Sequence, residues 1–413
     1  MHIVFLTYGF TPHNSRLMPW RYVLEMAKGI VQTGSNATVI TDSNHGDCRY
    51  SEGLPAVEAV SGHFSAENPI YRDCIERIKP DVIYVPVARR SSISQKVWLP
   101  ETIPHFGYFP SAWYNPIATL GLCKALPFRD ACMYVLESLV PGGYFVKNMQ
   151  EKGFAGIVTV TQYTARKLVE NGWHESLVNI LAPGVDLFQQ NSKAPEVFNR
   201  CLSRANGRPY ILFMGPPTAI RGIYFLLRAF DRAADLLDNI SLVCLLRQTS
   251  EGSAAWNFKK AVRKLKHGDR VISIENRLTE EDIIAYIRGS RAVVLPFLIV
   301  PSEIPLAVME TMALAKPVIV TETGGTSEFV GKAGKVVRQN DVGALSDSIK
   351  EVFTNEADYL TMCEEAQKVI RSQRQWIDLA RSFVDFTTKV LLTRSKQKVP
   401  PSNGPSNRRS GEH

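Results

Sequence analysis

The chain has 413 residues, 45% of them hydrophobic and 21% charged, with a formal net charge of +8. That length suits two domains of about 180 residues better than one, and no apolar run approaches the roughly 18 residues of a spanning helix. Seven cysteines, odd in number and never paired as C-x-x-C, argue against a disulfide framework and a zinc site, and the basic residues lack the aromatic interleaving of a nucleic-acid binder.

The opening residues, MHIVFLTYGF, lack the basic start and cleavage site of a signal peptide and are read as a first strand, His2 to Thr7, in a cytoplasmic chain. A polar turn containing His13 and Asn14 leads to a helix over Arg16 to Val31 and a strand over Ala37 to Thr41, the start of a Rossmann-like sheet. Residues 43–68 carry no clear period. A helix is expected over Tyr71 to Ile78 and a buried strand over Asp81 to Val87, followed by Arg89 and Arg90, which suit either an acidic acceptor or an exposed loop. The aromatic stretch Ile103 to Pro116 holds His105 and Tyr108, and residues 117–155 pattern as helix, turn, helix. The apolar and aromatic residues there suit a lipid-linked acceptor or a core-facing role.

Residues 187–208 have mixed polarity and no period, as a linker does. Strand, loop and helix then follow from Tyr210, with Ile223, Leu226, Leu227 and Phe230 at helical spacing. A strand over Ile240 to Leu246 ends at Arg247, and Thr279 with Asp282 marks a helix start. The helix from Trp256 to Leu265 is basic on one side, which fits a solvated face or an anionic membrane surface. Ala292 to Val300 is an apolar strand, Pro305 to Ala315 a helix, and Val318 to Thr321 a strand before Gly324-Gly325. Such βαβ units bind ligands at the carboxyl ends of their strands, where helix N-termini favour anions. Glu303 and Glu310 bracket the helix start, with Cα atoms about 10 Å apart at helical rise, enough to span a sugar and a ribose. Residues 343–372 are expected to be helical, and Lys396 to His413 has the composition of a disordered tail.

Ser302, Glu303, Glu310, Ala313, the strand Lys316-Pro317-Val318-Ile319, Gly324, Gly325 and Glu328 together resemble the motif of the retaining glycosyltransferases of the GT-B fold, family four. Thr161, Tyr163 to Leu168, Ile180, Pro183 to Asp186, and a terminal helix with Trp376 near its start extend the likeness. The resemblance implies an α/β chain of two Rossmann-like domains with parallel sheets facing a central cleft. These are an acceptor domain over 1–186, a linker over 187–208, a nucleotide-sugar domain over 209–372, a helix over 373–393 returning to the first domain, and a tail over 394–413. It implies a metal-independent hexosyltransferase without cofactor, moving a sugar from a UDP- or GDP-linked donor to a glycan, lipid-linked glycan or polyprenyl-phosphate hydroxyl.

Under that resemblance Arg221 takes the place of the family's lysine on the donor diphosphate, and Pro216 stands where the family has an arginine; Arg247 either compensates for Pro216 or is an exposed loop arginine. Glu303 orients donor sugar hydroxyls and Glu310 holds the ribose. Gly215, Pro216, Ser302, Ile304, Pro305, Leu306, Gly324 and Gly325 line the donor, while His13, Asn14 and Tyr108 lie on the acceptor side. The family histidine near the transferred sugar corresponds to His105, or to Tyr108 if the register moves by three residues. Two departures stand out: only six residues separate the glutamates where the family has seven, and His13-Asn14-Ser15 replaces a Gly-Gly pair. A sugar-nucleotide epimerase on the same fold and a catalytically silent nucleotide-sugar binder remain open, as does peripheral contact at the cytoplasmic face of an anionic membrane.

Overall fold

The computed structural model describes residues 1–11, 14–42, 55–94, 97–184, 203, 207–247, 252–275, 278–300 and 302–398. Seven strands form the first sheet: β1 (His2–Thr7), β2 (Asn36–Thr41), β3 (Ala56–Ala59), β4 (Val82–Pro86), β5 (His105–Phe109), β6 (Ile157–Thr159) and β7 (Val178–Ile180). Their spatial order is β3-β2-β1-β4-β5-β6-β7 and every pairing is parallel. Between them run α1 (Trp20–Gln32), α2 (Pro69–Ile78), α3 (Ser91–Ser94), α4 (Pro116–Gly121), α5 (Phe128–Leu139), α6 (Gly142–Glu151) and α7 (Gln162–Glu170).

The second sheet repeats the plan with β8 (Tyr210–Gly215), β9 (Ser241–Leu246), β10 (Val271–Ile274), β11 (Ala292–Leu295), β12 (Val318–Thr321) and β13 (Gly334–Val337), ordered β10-β9-β8-β11-β12-β13 and again parallel. Its helices are α8 (Ile223–Ala234), α9 (Gly252–Val262), α10 (Glu280–Gly289), α11 (Leu306–Ala313), α12 (Thr326–Val330), α13 (Val342–Thr354) and α14 (Glu356–Arg371); α15 (Trp376–Lys398) ends the described chain. In both sheets the order reverses beside the first strand, which opens a crevice at the strand ends.

The apolar strands are buried on both faces, as β11 and β12 show at every position, because helices cover the two sides of each sheet. Helix starts follow cap chemistry. Asn68 and Asn115 each accept two backbone N–H groups ahead of a proline in the first turn, and Thr279 with Asp282 closes a reciprocal capping box.

Several boundaries differ from the sequence reading. β11 ends at Leu295 because Pro296 cannot donate to a ladder, so 296–300 is a buried loop. Pro19 precedes α1, which starts at Trp20 and not at Arg16. The region expected as one helical stretch over 343–372 is two helices broken at Asn355, whose side chain caps the second. Residues 56–59, unassigned from sequence, add the edge strand β3. Only 203, 207 and 208 of the expected linker are described, and α15 continues through 394–398, which the expected tail had included.

α15 returns to the first sheet, burying Leu379, Ala380 and Phe383 in the core formed by β1, α1 and β4. Phe383 stacks obliquely on Tyr84 at 4.3 Å and on Phe5 at 5.4 Å, and the Tyr84 hydroxyl pairs with Thr387 at 2.8 Å. Gly29 is required at the crossing: a Cβ there would lie 2.6 Å from Ala380 Cβ.

Candidate active site between the two sheets

The carboxyl ends of both sheets meet. Just past β5 the Pro110 carbonyl accepts the Glu303 N–H at 3.1 Å, and just past β6 the Thr161 hydroxyl donates to Glu303 Oε2 at 2.5 Å. The other carboxylate oxygen accepts the Gly325 N–H at 3.0 Å, and Thr326 Oγ1 donates to the Glu303 carbonyl at 2.5 Å. Glu303 is thus fully buried between the domains, and burial drives its carboxyl above the ordinary value against the hydrogen bonds from Thr161, Thr164 and Gly325. The glycine pair makes this closeness possible. A Cβ on Gly325 would stand 2.3 Å from Thr161 Cγ2, and one on Gly324, whose φ is +49°, would stand 2.7 Å from Glu303 Oε1.

Cations collect at the ends of β8 and β9. Gly215 ends β8 at a φ of +140° with open space on its Cβ side, and Pro216 follows in the loop to a short 3-10 turn, Ala219–Arg221. Gly222, at φ +72°, caps α8; a Cβ there would fall 1.8 Å from the Pro296 carbonyl oxygen, so the helix start is pressed against the segment after β11. The Arg221 guanidinium lies over the Phe297 ring at 5.0 Å. Desolvation, and secondly the positive charge of Arg247, push its pKa down to about 10. Arg247, just past β9, is also lowered by desolvation. Among the described residues no carboxylate pairs with either arginine.

First-domain groups reach over this site. Tyr114 and Tyr134 lie close enough to Arg221 to act on its charge, and the Tyr114 hydroxyl donates to the Val300 carbonyl at 2.7 Å. Glu310, on α11, pairs with Arg21 of α1 at 3.3 Å; burial raises its carboxyl, and Arg21 opposes that rise. A second cross-domain pair joins Arg16 to Glu280 at 3.7 Å.

Of the residues singled out from sequence, the structure brings Glu303, Gly324 and Gly325 into one cluster and Gly215, Pro216, Arg221 and Arg247 into another. Ser302 is buried, with its hydroxyl unpartnered among the described residues. Pro305 caps α11, Leu306 opens it, and Ile304 is in the second-domain core. Asn14 braces its own loop, accepting from the Thr11 N–H and donating to the Gly9 carbonyl; His13 lies outside the described residues.

Two placements are corrections. His105 stands at the amino end of β5, opposite the crevice, its ring nitrogens against the Ile103 and Lys152 carbonyls at 3.2 and 2.7 Å. Tyr108 is buried in the first-domain core, stacked on Tyr22 at 4.9 Å. The residue that leaves β5 into the crevice is Pro110, so no histidine follows this strand. Arg89 is no acceptor contact either: buried over Trp113, it donates to the carbonyls of Tyr114, Ser138 and Val140 and ties α5 to the loop after β5. Thr161, named from the sequence only as part of the motif, and Tyr114 and Tyr134 were not assigned to the site. Only Thr161 carried a signal, a strand-end hydroxyl at a helix N-cap.

Two Rossmann-like domains with parallel sheets that meet at their carboxyl ends have the GT-B fold. Residues 208–355 match the family model described as Glycosyl transferases group 1. No curated protein matches the chain. Similar solved structures include a glycosyltransferase from Rickettsia africae ESF-5, at 16% identity and TM-score 0.68, covering 94% of this chain and 98% of that one. Sucrose-phosphate synthase from Thermosynechococcus elongatus aligns at 14% identity and TM-score 0.68, covering 95% and 99%. Anabaena Alr3699/HepE in complex with UDP aligns at 13% identity and TM-score 0.69, covering 94% and 100%.

Proposed function

We propose that this chain is a retaining, metal-independent glycosyltransferase that takes its sugar from a nucleotide-diphosphate donor and passes it to a hydroxyl of a glycan or lipid-linked acceptor. The observation that carries the reading is Arg221, a desolvated cation that also feels the positive charge of the more exposed Arg247, with no carboxylate paired to either among the described residues. Such a pair is relieved by a bound dianion, and a diphosphate meets both charges at once. A UDP-linked donor is the first choice, because the similar HepE structures hold UDP and UDP-glucose.

Breaking the sugar–diphosphate bond leaves negative charge on the departing phosphate. Arg221 and Arg247 stabilise that charge as it forms, aided by the N-terminus of α8 behind Gly222. Glu310 takes the ribose hydroxyls in exchange for Arg21. Glu303, buried against Thr161, accepts a donor-sugar hydroxyl when Thr161 yields its place.

A thermal-shift panel of UDP, GDP and ADP with their sugars tests the reading. One diphosphate at 100 times its dissociation constant should add about 2.7 kcal/mol of apparent stability, and the Arg221→Ala, Arg247→Ala double variant should lose that gain. Product analysis by NMR should show the donor's anomeric configuration kept. Binding without transfer would leave a silent homologue, and donor conversion without acceptor would leave an epimerase.

A further inference from the structure

On the transferase reading proposed above, we infer that the Tyr114 hydroxyl is a catalytic hydrogen-bond donor, moving from the Val300 carbonyl to the phosphate oxygen that departs from the sugar. Tyr114 lies between β5 and α4, ahead of the hairpin of α4 and α5, whose Leu122 and Leu126 pack with Leu298 and Ile299 of the second domain. Its ring joins that cluster together with Ile220. Ile220 immediately precedes Arg221, and its carbonyl accepts the Leu298 and Ile299 N–H groups at 2.9 and 3.1 Å. The Tyr114 hydroxyl donates to the carbonyl of the next residue, Val300, at 2.7 Å. The loop over 297–300 thus carries the Arg221 guanidinium on Phe297 at one end and the Tyr114 hydroxyl at the other. Tyr114 also lies near enough to both Arg221 and Glu303 for charge to act between them. It stands between the cation for the diphosphate and the acid for the sugar hydroxyls, beside the bond that breaks.

The side chain is held at three points. Arg89, buried over Trp113, donates to the Tyr114 carbonyl at 2.5 Å, Tyr134 meets the ring edge-on at 5.4 Å, and Val300 holds the hydroxyl. Desolvation keeps the phenol well above its ordinary value of 10.0, so it carries its proton at neutral pH and acts as a donor. Two neighbouring hydroxyls have no partner among the described residues: Ser302, just past Val300, and Thr218, just before the turn that carries Arg221. Buried polar groups left open in this way suit a site that takes a polar ligand. In an intact sugar donor the oxygen bridging sugar and phosphate is a poor acceptor. When the sugar–oxygen bond breaks, that oxygen keeps the electron pair, and a hydrogen bond to it strengthens as its charge grows. No proton is transferred in this step; the hydroxyl exchanges the Val300 carbonyl for the charged oxygen.

Titration calorimetry of the full chain with UDP and with UDP-glucose tests this role. Tyr114→Phe keeps the ring and removes only the hydroxyl, so it should weaken UDP about tenfold or more while changing UDP-glucose by about twofold or less. Turnover should fall about a hundredfold in the same variant. A tyrosine that only staples the domains gives a different result: both ligands weakened alike, or neither weakened, with a lower Tm. Either outcome overturns the proposal. A wild-type crystal soaked with UDP gives a check that needs no variant. The Tyr114 hydroxyl should lie about 2.7 Å from a terminal phosphate oxygen and away from Val300; a hydroxyl still on the Val300 carbonyl overturns the proposal. UDP binding and transfer that Tyr114→Phe leaves intact remove only the role of Tyr114, whereas a wild type that binds neither ligand removes the UDP-linked transferase reading along with it.

Discussion

The Arg221 guanidinium is held below its ordinary pKa first by desolvation and then by the positive charge of Arg247, with no counter-ion paired to it among the described residues. Replacing Arg221 by Ala is expected to lower kcat about a hundredfold while leaving the acceptor KM nearly unchanged, since the lost interaction strengthens only as the leaving group becomes charged. Steady-state kinetics with saturating donor would check this; an effect confined to KM would assign Arg221 to ground-state binding. Glu303 makes a pH prediction. Its carboxyl is raised in the folded protein, so its stabilising contribution is full below the ordinary value of 4.5 and is lost as pH rises through the higher folded value. Glu303→Gln, which cannot ionise, should therefore show a flatter fall of Tm with pH above 4.5 than the wild type. Parallel curves would mean that Glu303 does not titrate differently on folding.

Among the elements, α15 joins the end of the chain to its beginning. Trp376, Leu379, Ala380 and Phe383 pack into the same core as β1 and α1, and the Gly29 crossing lets the two helices touch. Gly29→Ala places a Cβ against Ala380 Cβ and near the Trp376 carbonyl oxygen, at 2.6 and 3.2 Å, and is expected to destabilise the first domain by about 1–3 kcal/mol through overpacking. Urea unfolding followed by tyrosine and tryptophan fluorescence would read this, and an unchanged midpoint would show that the helices part without cost. Part of this scale was legible in the sequence: the Thr279 to Asp282 box marks a helix start by local hydrogen bonding alone. Ends set by tertiary packing were not. The run Ala292 to Val300 is apolar throughout because it is buried throughout, yet only its first four residues pair in the sheet.

At the scale of the molecule, the closed arrangement rests on contacts that cross from one sheet's carboxyl edge to the other's. Thr161 to Glu303, Tyr114 to Val300, Arg21 to Glu310 and Arg16 to Glu280 all join the two domains. The two ion pairs are partly exposed and contribute little on their own, so closure depends on the buried Thr161 contact and on the hairpin of α4 and α5. Gly325→Ala, at an ordinary negative φ of −77°, strains nothing locally but drives a Cβ into Thr161. It is expected to hold the domains apart, giving a larger radius of gyration by small-angle scattering and loss of transfer with nucleotide binding kept. An unchanged radius would show that Thr161 swings aside.

By itself the sequence determined the two parallel sheets and the position of the Ser302 to Gly325 unit, because strand and helix periods, caps and turn glycines act over a few neighbouring residues. It misplaced His105 and Tyr108, since the number of residues in β5 before the crevice depends on where the strand pairs. Only the tertiary structure decided that Glu303 meets Thr161, 142 positions away, and that Arg21 meets Glu310, 289 positions away. Local period selects the face of each element that turns inward. Which side chain waits on the opposite face is set by how two finished domains pack.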